Sequence, residues 1–319
     1  MPSVIFHERR AHDLDVFYNG TDITSYVTVR SCVVRDTAGD RCDSLDIEFE
    51  NAGGWDTWAP KEDDTISVYH NGYDSGIMFV NTVIPKDGNY RIFATSLPCK
   101  ARNKGYASFR ENTLEEIVRK CAVACGMDYA FYGTNKDVVI PYIERNNEGC
   151  AAFLYKLLAL EGSVLKCVNG KFTAIDILYA QERDALQTLE IASDQDGVEY
   201  AKNGLALRKV TIMSPYAEAS AVDSAVEDNH NQLVISSGLP VLNNAQAGRW
   251  ARGKLLHVNR KCESLHISNT YNLGFTAMER VDVSSIMSIN GSWIIEEVEH
   301  DLFNLKTTAT MRRCIDTII

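Results

Sequence analysis

Cys42-Asp43-Ser44-Leu45-Asp46-Ile47-Glu48 is echoed late in the chain by Cys262-Glu263-Ser264-Leu265-His266-Ile267-Ser268. In each copy a Leu and an Ile alternate with polar residues, the period-two pattern of a strand with one dry face. The segments downstream of the two copies also correspond. An Asn-Gly pair, Asn71-Gly72 or Asn290-Gly291, precedes an apolar run, Gly76-Ile77-Met78-Phe79-Val80 or Ser292-Trp293-Ile294-Ile295. A Thr-containing strand closes each copy, Arg91-Ile92-Phe93-Ala94-Thr95 or Lys306-Thr307-Thr308-Ala309-Thr310. The echo predicts an internal duplication, with related β units at the two ends of one molecule. Such a chain imitates a dimer of a single module.

Around this repeat the chain reads as three parts. Residues 1–102 are β-patterned. Asp15–Ile23 reads as strand, Asn-Gly turn, strand, because both central residues of that turn need positive φ. Thr65–Tyr69 alternates and runs into Asn71-Gly72. Residues 103–185 change period. Thr113-Leu114-Glu115-Glu116 is a capping box, and Leu114, Ile117, Val118, Cys121 and Cys125 mark one helical face closed by Gly126. Val138-Val139-Ile140 predicts a strand stopped by Pro141. Asn147 is expected to cap a second helix with Phe153, Leu154, Leu157 and Leu158 on its apolar face. Val164–Ile175 predicts a hairpin around Asn169-Gly170. Residues 186–319 return to β, with Leu207–Ile212 alternating, 215–232 expected as a long loop, and a helix over about 244–259 capped by Asn244. The expected fold is mainly β with an α+β insert: two similar β-barrel domains separated by a small α+β domain.

Composition limits the function. With 319 residues, 45% hydrophobic and 24% charged, the chain is that of an ordinary folded protein of two or three domains. The net charge of -11 and the lack of a basic stripe argue against nucleic acid as a specific partner. No apolar run reaches the roughly 20 residues that span a bilayer, so no membrane insertion is expected. The N-terminus lacks the basic and apolar regions of a signal peptide, which points to synthesis in the cytoplasm. Nine cysteines without a CxxC read as small buried hydrophobes in a reducing cell.

The constellations that suggest chemistry fail on spacing. His7-Glu8 with His12 lacks the four-residue interval of a zinc-protease helix. Asp194-Gln195-Asp196-Gly197 lacks the remaining ligands of a calcium loop. Glu296-Glu297-Val298-Glu299-His300 is expected as a solvated strand face alternating with Ile295 and Val298. Asn19-Gly20-Thr21 and Asn290-Gly291-Ser292 match the glycosylation pattern, but both read as turn chemistry. No phosphate loop, nucleophile elbow or paired carboxylate stands out, so no enzyme, cofactor or metal is expected. Trp55 and Trp58 precede Pro60; exposed, they would anchor an interface, and buried, they would close a barrel end. With Asp43, Leu45, Glu263 and Leu265 in the echoed phrase, they form the candidate interface set.

The order of these segments resembles the phage late control D family, the baseplate hub proteins of contractile phage tails and phage-tail-like bacteriocins. Asp36–Phe49, Trp58-Ala59-Pro60 and the strand Thr65–Tyr69 are similar to its opening. Asn112–Met127 resembles its first helix, and Asn147–Phe172 its helix, glycine and hairpin unit. Ala245–Asn259 and Gly291–His300 resemble its C-terminal barrel. The resemblance implies a homotrimer in which each chain supplies two similar barrels, so that six modules meet a six-fold tail tube on one side and a three-fold spike on the other. It implies other baseplate proteins and the tape-measure protein as partners. Family members that continue into an oligosaccharide-binding barrel and β-helix carry their own spike; with Ile319 just past the second barrel, a separate spike polypeptide is expected here. Two other readings stand beside this one: a tail-associated peptidoglycan hydrolase, and a receptor- or glycan-binding module built on Trp55, Trp58 and the 215–232 loop.

Overall fold

The computed structural model describes residues 14–50, 58–86, 88–192 and 195–319. The first β unit contains β1 (Leu14–Tyr18), β2 (Thr21–Asp22), β3 (Val29–Thr37), β4 (Ser44–Glu50), β5 (Thr65–His70), β6 (Tyr73–Asp74), β7 (Met78–Lys86) and β8 (Asn89–Thr95). The middle of the chain continues with α1 (Cys99–Arg102), β9 (Gly105–Thr113), α2 (Leu114–Cys125), β10 (Asp128–Tyr132), β11 (Val139–Glu148), α3 (Cys150–Leu160), β12 (Ser163–Val168), β13 (Lys171–Asp176) and α4 (Ile177–Glu182). The last part holds β14 (Thr188–Glu190), β15 (Val198–Lys202), β16 (Lys209–Ser214), β17 (Ala217–Val222), β18 (Gln232–Ile235), α5 (Asn244–Asn259), β19 (Glu263–Thr270), β20 (Arg280–Ser284), β21 (Gly291–Asp301) and β22 (Lys306–Arg313). The fold is mainly β, as expected.

The duplication is visible in the strand pairing. The first unit runs β3-β4-β8-β7-β5-β1, and the second runs β15-β19-β22-β21-β20-β14. The echoed phrases begin β4 and β19. Leu45 pairs with Ala94 and Ile47 with Ile92; Leu265 pairs with Met311 and Ile267 with Ala309. Arg91–Thr95 therefore answers 308–312, two residues beyond the stretch matched in the sequence. Each unit carries a β-bulge at the same place, between Val80 and Thr82 in β7 and between Ile295 and Glu297 in β21. The residue before each bulge is held alike. Val80 exchanges backbone bonds with Asp63 (3.0 Å) and Asp64 (2.8 Å), and Ile295 does so with Met278 (2.8 Å) and Glu279 (3.0 Å). Asp63 and Met278 both take the left-handed conformation, φ 66° and 73°, which non-glycine residues rarely adopt. One difference is that β1 joins its unit antiparallel whereas β14 joins parallel. Asn71-Gly72 forms the expected tight turn, with φ 47° and 83°. Asn290-Gly291 does not: it ends a longer loop whose Asn290 carboxamide oxygen accepts from the Ser285 N–H (3.2 Å).

The two units share one 14-stranded sheet because β21 pairs antiparallel with β3, Glu297 opposite Thr37 through Asp301 opposite Val33. Among the described residues this path is open, and no ring of pairings closes a barrel. The closed barrels expected within the chain are thus replaced by two units laid edge to edge. Each keeps its own apolar core, one around Leu45, Ile47 and Phe49, the other around Leu265, Trp293 and Met311.

A third core lies between them and holds α2, α3, α5 and the sheet β17-β16-β18. Thr113 and Glu116 form the expected capping box of α2, and Gly126 closes it at φ 74°. The hairpin β12-β13 turns on Asn169 and Gly170, φ 50° and 68°. Four local expectations change. β11 runs through Pro141, which is tolerable because β11 has a single partner, β9, and a proline can turn its missing donor away from it. Asn147 is a left-handed residue (φ 53°) at a break in the β11 register; Gly149 caps α3 instead, where a Cβ would lie 2.8 Å from the Ala101 carbonyl oxygen. Asn243, not Asn244, caps α5 by accepting from the Gln246 N–H. The 215–232 loop contains β17, which presents Ala217, Ala219 and Ala221 to the central core.

Candidate assembly interface

The joint between the units is the best-defined polar site of the molecule. In the β21–β3 ladder, the Ala38 N–H donates to the Glu296 carbonyl (3.2 Å) and the Leu302 N–H to the Cys32 carbonyl (2.9 Å). Across it Arg35 pairs with Glu299 at 2.8 Å. The bulge lets a single strand serve two neighbours: β21 pairs with β20 before Glu296 and with β3 after it.

Glu296 is the residue the bulge turns inward. It accepts from Arg260 Nη2 (2.7 Å) and Arg312 Nε (2.5 Å). Arg260 is itself only 3% exposed. Burial alone would raise the Glu296 pKa, but the two guanidinium groups outweigh it and hold the carboxyl at about 2. Glu296 therefore departs from the expected solvated face, whereas Glu297 and Glu299, with side chains 38% and 39% exposed, keep to it around the buried Ile295 and Val298. His300, fully buried, also departs from that expectation. Its Nε2 lies 3.1 Å from the Phe275 carbonyl and must donate there, so Nδ1 accepts from the Thr307 hydroxyl (3.1 Å). Burial lowers its pKa against the opposing influence of that carbonyl and of Asp36. Its ring sits 4.7 Å from that of Tyr73 of the first unit.

Three parts of the chain meet at Asp36. It accepts from Lys166 on β12, from the Thr276 hydroxyl, and from the Ala277 N–H at 3.1 Å. Nearby, Asp43 accepts from the Thr37 N–H (2.9 Å). Burial and then the Asp36 carboxylate push the Asp43 pKa well up, against the pull of Lys166. Within the central core, Trp250 Nε1 donates to Glu161 Oε1 (2.6 Å) and Arg249 Nε to Glu161 Oε2 (3.1 Å).

The candidate interface residues separate under this geometry. Leu45 and Leu265 are fully buried, each in the core of its own unit, and Asp43 is 2% exposed. These three present no surface to another chain, because their side chains face inward. Glu263 is ion-paired with Lys202 (2.7 Å) and Arg313, and Arg313 also lies 4.4 Å over the Trp293 ring. Trp58 is 37% exposed and packs edge-on against Tyr18 at 4.8 Å. Trp55, His7, Glu8, His12 and Asp194 lie outside the described residues. All nine cysteines are free. Among the described residues no group of three His, Cys, Asp or Glu side chains is arranged to hold a metal, and no helix is long and apolar enough to cross a membrane.

Among the open strand edges of the described residues, two lie in the β units at positions equivalent to the joint. One is β15 on the side away from β19, and the other is β7 after its bulge, on the side away from β8. Neither is legible in the sequence, since an edge is defined by which distant strand is absent.

No family model matches the chain, and no curated protein matches it in sequence. Solved structures do match the fold. A 43 kDa tail protein of prophage MuSo2 from Shewanella oneidensis superposes with a TM-score of 0.72 at 13% identity, covering 96% of this chain and 99% of that one. A tail protein from Neisseria meningitidis MC58 gives 0.73 at 11% identity, covering 94% and 96%. The E. coli c3393 protein gives 0.59 at 12% identity, covering 95% and 77%; it is a component of the type VI secretion system with structural similarity to the T4 bacteriophage tail proteins gp27 and gp5. This chain therefore has the fold of phage tail proteins, the group to which the ordered sequence segments pointed.

Proposed function

We propose that this chain is a structural hub of a contractile-tail-type particle. Three copies form a ring of six β units that adapts a hexameric tail tube to a separate trimeric spike, in contact with other baseplate proteins. In this reading each β unit is a tube-type module, and the chain divides into 1–102, 103–185 and 186–319. It is made in the bacterial cytoplasm and assembled into the particle. It has no catalytic role.

The observation that carries the reading is the repeated pairing path with its bulge at the same point in both units. A chain holding two equivalent modules solves a symmetry mismatch, because closed assemblies require matching patches and three subunits otherwise present only three. The tail-protein fold supports the same reading. The mass of the purified chain in solution and an image of the isolated particle test it. A three-chain ring with a central hole is expected; a strict monomer that never enters tail particles refutes it.

A further inference from the structure

The joint inside the chain has an unfilled counterpart. In the second unit, β21 turns its post-bulge segment to β3. In the first unit the equivalent segment of β7, 82–86, has no such partner among the described residues, and Thr82, Ile84, Pro85 and Lys86 are exposed. The equivalent of β3 in the second unit is β15, because Val34 pairs with Leu45 as Tyr200 pairs with Leu265. The outer edge of β15 has no partner among the described residues either, and Glu199, Ala201 and Lys202 are exposed.

We propose that β15 of one copy pairs antiparallel with the β7 edge of the next copy, in the register of the β3–β21 joint. This rests on the proposed ring and names its inter-chain contact. The register comes from the duplication. Val80 corresponds to Ile295 and Pro85 to His300, and His300 is opposite Val34. Pro85 is then opposite Tyr200, Ile84 opposite Ala201, Val83 opposite Lys202 and Lys86 opposite Glu199.

The hydrogen-bonding phase agrees without adjustment. The Asn203 N–H donates to the Cys262 carbonyl and the Ser268 N–H to the Gly197 carbonyl, so the alternate residues 198, 200 and 202 turn their backbone groups outward. The bonds from Val80 to Asp63 and Asp64 set the β7 phase, and past the bulge Val83 and Pro85 face outward. Val83 and Lys202 thus exchange two backbone bonds. Pro85 supplies only its carbonyl. The joint between chains therefore has one donor fewer than the joint within the chain, and the proline guards a lone copy against indiscriminate edge pairing. Lys86 against Glu199 adds an opposite-charge pair and Ile84 against Ala201 an apolar one. Because the same joint alternates within and between chains, the contact is head-to-tail, the kind that the proposed three-chain ring requires.

Ile84 and Ala201 form a non-hydrogen-bonded pair, whose Cα atoms sit about 4.5 Å apart, inside the roughly 4.4–6.8 Å range of disulfides. The full-length chain carrying both Ile84→Cys and Ala201→Cys is oxidised and run on a denaturing, non-reducing gel. A reducible covalent ladder ending at three chains is expected. Ile84→Cys paired with Lys202→Cys, which places the thiols on opposite faces, is expected to give none. Two single variants mixed together are expected to give covalent dimers, and neither alone. Lys86→Glu is expected to shift the non-covalent mass from three chains toward one, and Lys86→Glu with Glu199→Lys to shift it back. A three-chain mass without the Ile84–Ala201 cross-link overturns this joint and leaves the hub reading intact. Cross-linking of Ile84→Cys with itself overturns the head-to-tail contact. A one-chain mass for the unmodified protein, in solution and in particles, overturns both.

Discussion

Glu296→Gln tests whether the bulge in β21 is held by charge. The substitution keeps the shape of the side chain and removes its ionised form. Glu296 faces Arg260 at 2.7 Å and Arg312 at 2.5 Å, with the Glu296 side chain 16% exposed. A carboxyl whose pKa falls from 4.5 to about 2 contributes about 3 kcal/mol in its ionised form, at roughly 1.4 kcal/mol for each tenfold change in proton affinity. Removing one partner of a buried pair costs about 3–5 kcal/mol by a separate route, since it strands the other charge. Arg260 is exposed to that cost because its Nε already lacks a partner. The two routes agree near 3 kcal/mol. The assay is urea unfolding followed by tryptophan fluorescence, for which Trp250 and Trp293 are fully buried reporters. The folded-state pKa is depressed, so the stabilisation is complete above the unfolded value of 4.5 and disappears as pH falls through 2. The gap between the two proteins should therefore be full at pH 7 and narrow below pH 4.5. A Gln variant within about 0.5 kcal/mol of the parent at pH 7, or a gap that is unchanged between pH 5 and pH 3, refutes the reasoning.

The same geometry sets three further outcomes. Gly253→Ala should cost about 1–3 kcal/mol or more, because its Cβ would lie 2.1 Å from the Leu160 carbonyl oxygen; Gly248→Ala in the same helix meets only Ala219 at 3.7 Å and should stabilise by about 0.5–1 kcal/mol, both read from thermal melting. Trp250→Phe leaves a Glu161 carboxylate that is 1% exposed with one donor fewer, and should cost about 1–3 kcal/mol in the urea assay. His257, whose pKa is lowered to about 4 by burial and then by Arg260 and its cationic neighbours, stays neutral in the folded chain, so its stabilisation is complete above 6.5 and is lost as pH falls toward 4. His257→Gln should flatten the stability profile across that window, and an unchanged slope removes His257 as its source.

What the sequence makes legible is local. The Asn-Gly turns at Asn19, Asn71 and Asn169, the capping box of α2 and the alternation in β4 each depend on residues within one turn or strand, and each forms. Pairing across the chain leaves weaker traces. The β3–β21 joint links residues far apart in sequence, and nothing in either strand's own alternation names its partner. β17 reads as loop because Ala217, Ala219 and Ala221 are poor strand formers. Yet small residues are what that position needs, since α5 lies directly against the strand and Ala217, Ala219 and Ala221 face that core. The alternation of alanine with Glu218, Ser220 and Val222 is the available signal. Asn147 and Pro141 mislead for a related reason: both are breakers in isolation, but one occupies a bulge and the other an edge, where the same properties are tolerated. The echoed phrase identifies the duplication, while its alternate apolar residues, Leu45, Ile47, Leu265 and Ile267, prove to be core.

The two copies differ where their surroundings differ, and this bears on why the chain carries both. At the bulge, the first unit has Asn81 and the second has Glu296, both part-exposed, but only Glu296 is held by two arginines. The bulge itself is retained, with an equivalent left-handed residue, Asp63 or Met278, bracing it from just before β5 or β20. A feature kept while its side chain changes is a feature of the backbone. Its backbone effect is to let a single strand pair with one neighbour before the kink and another after it, as β21 does with β20 and β3. In β7 the segment before the kink is used, by β5, and the segment after it has no second partner among the described residues. A bulge that served only the fold of its own unit would have no reason to leave that segment extended, exposed and in phase with β15. A unit built to be joined on both sides would, and in this chain one of the two joins is already made.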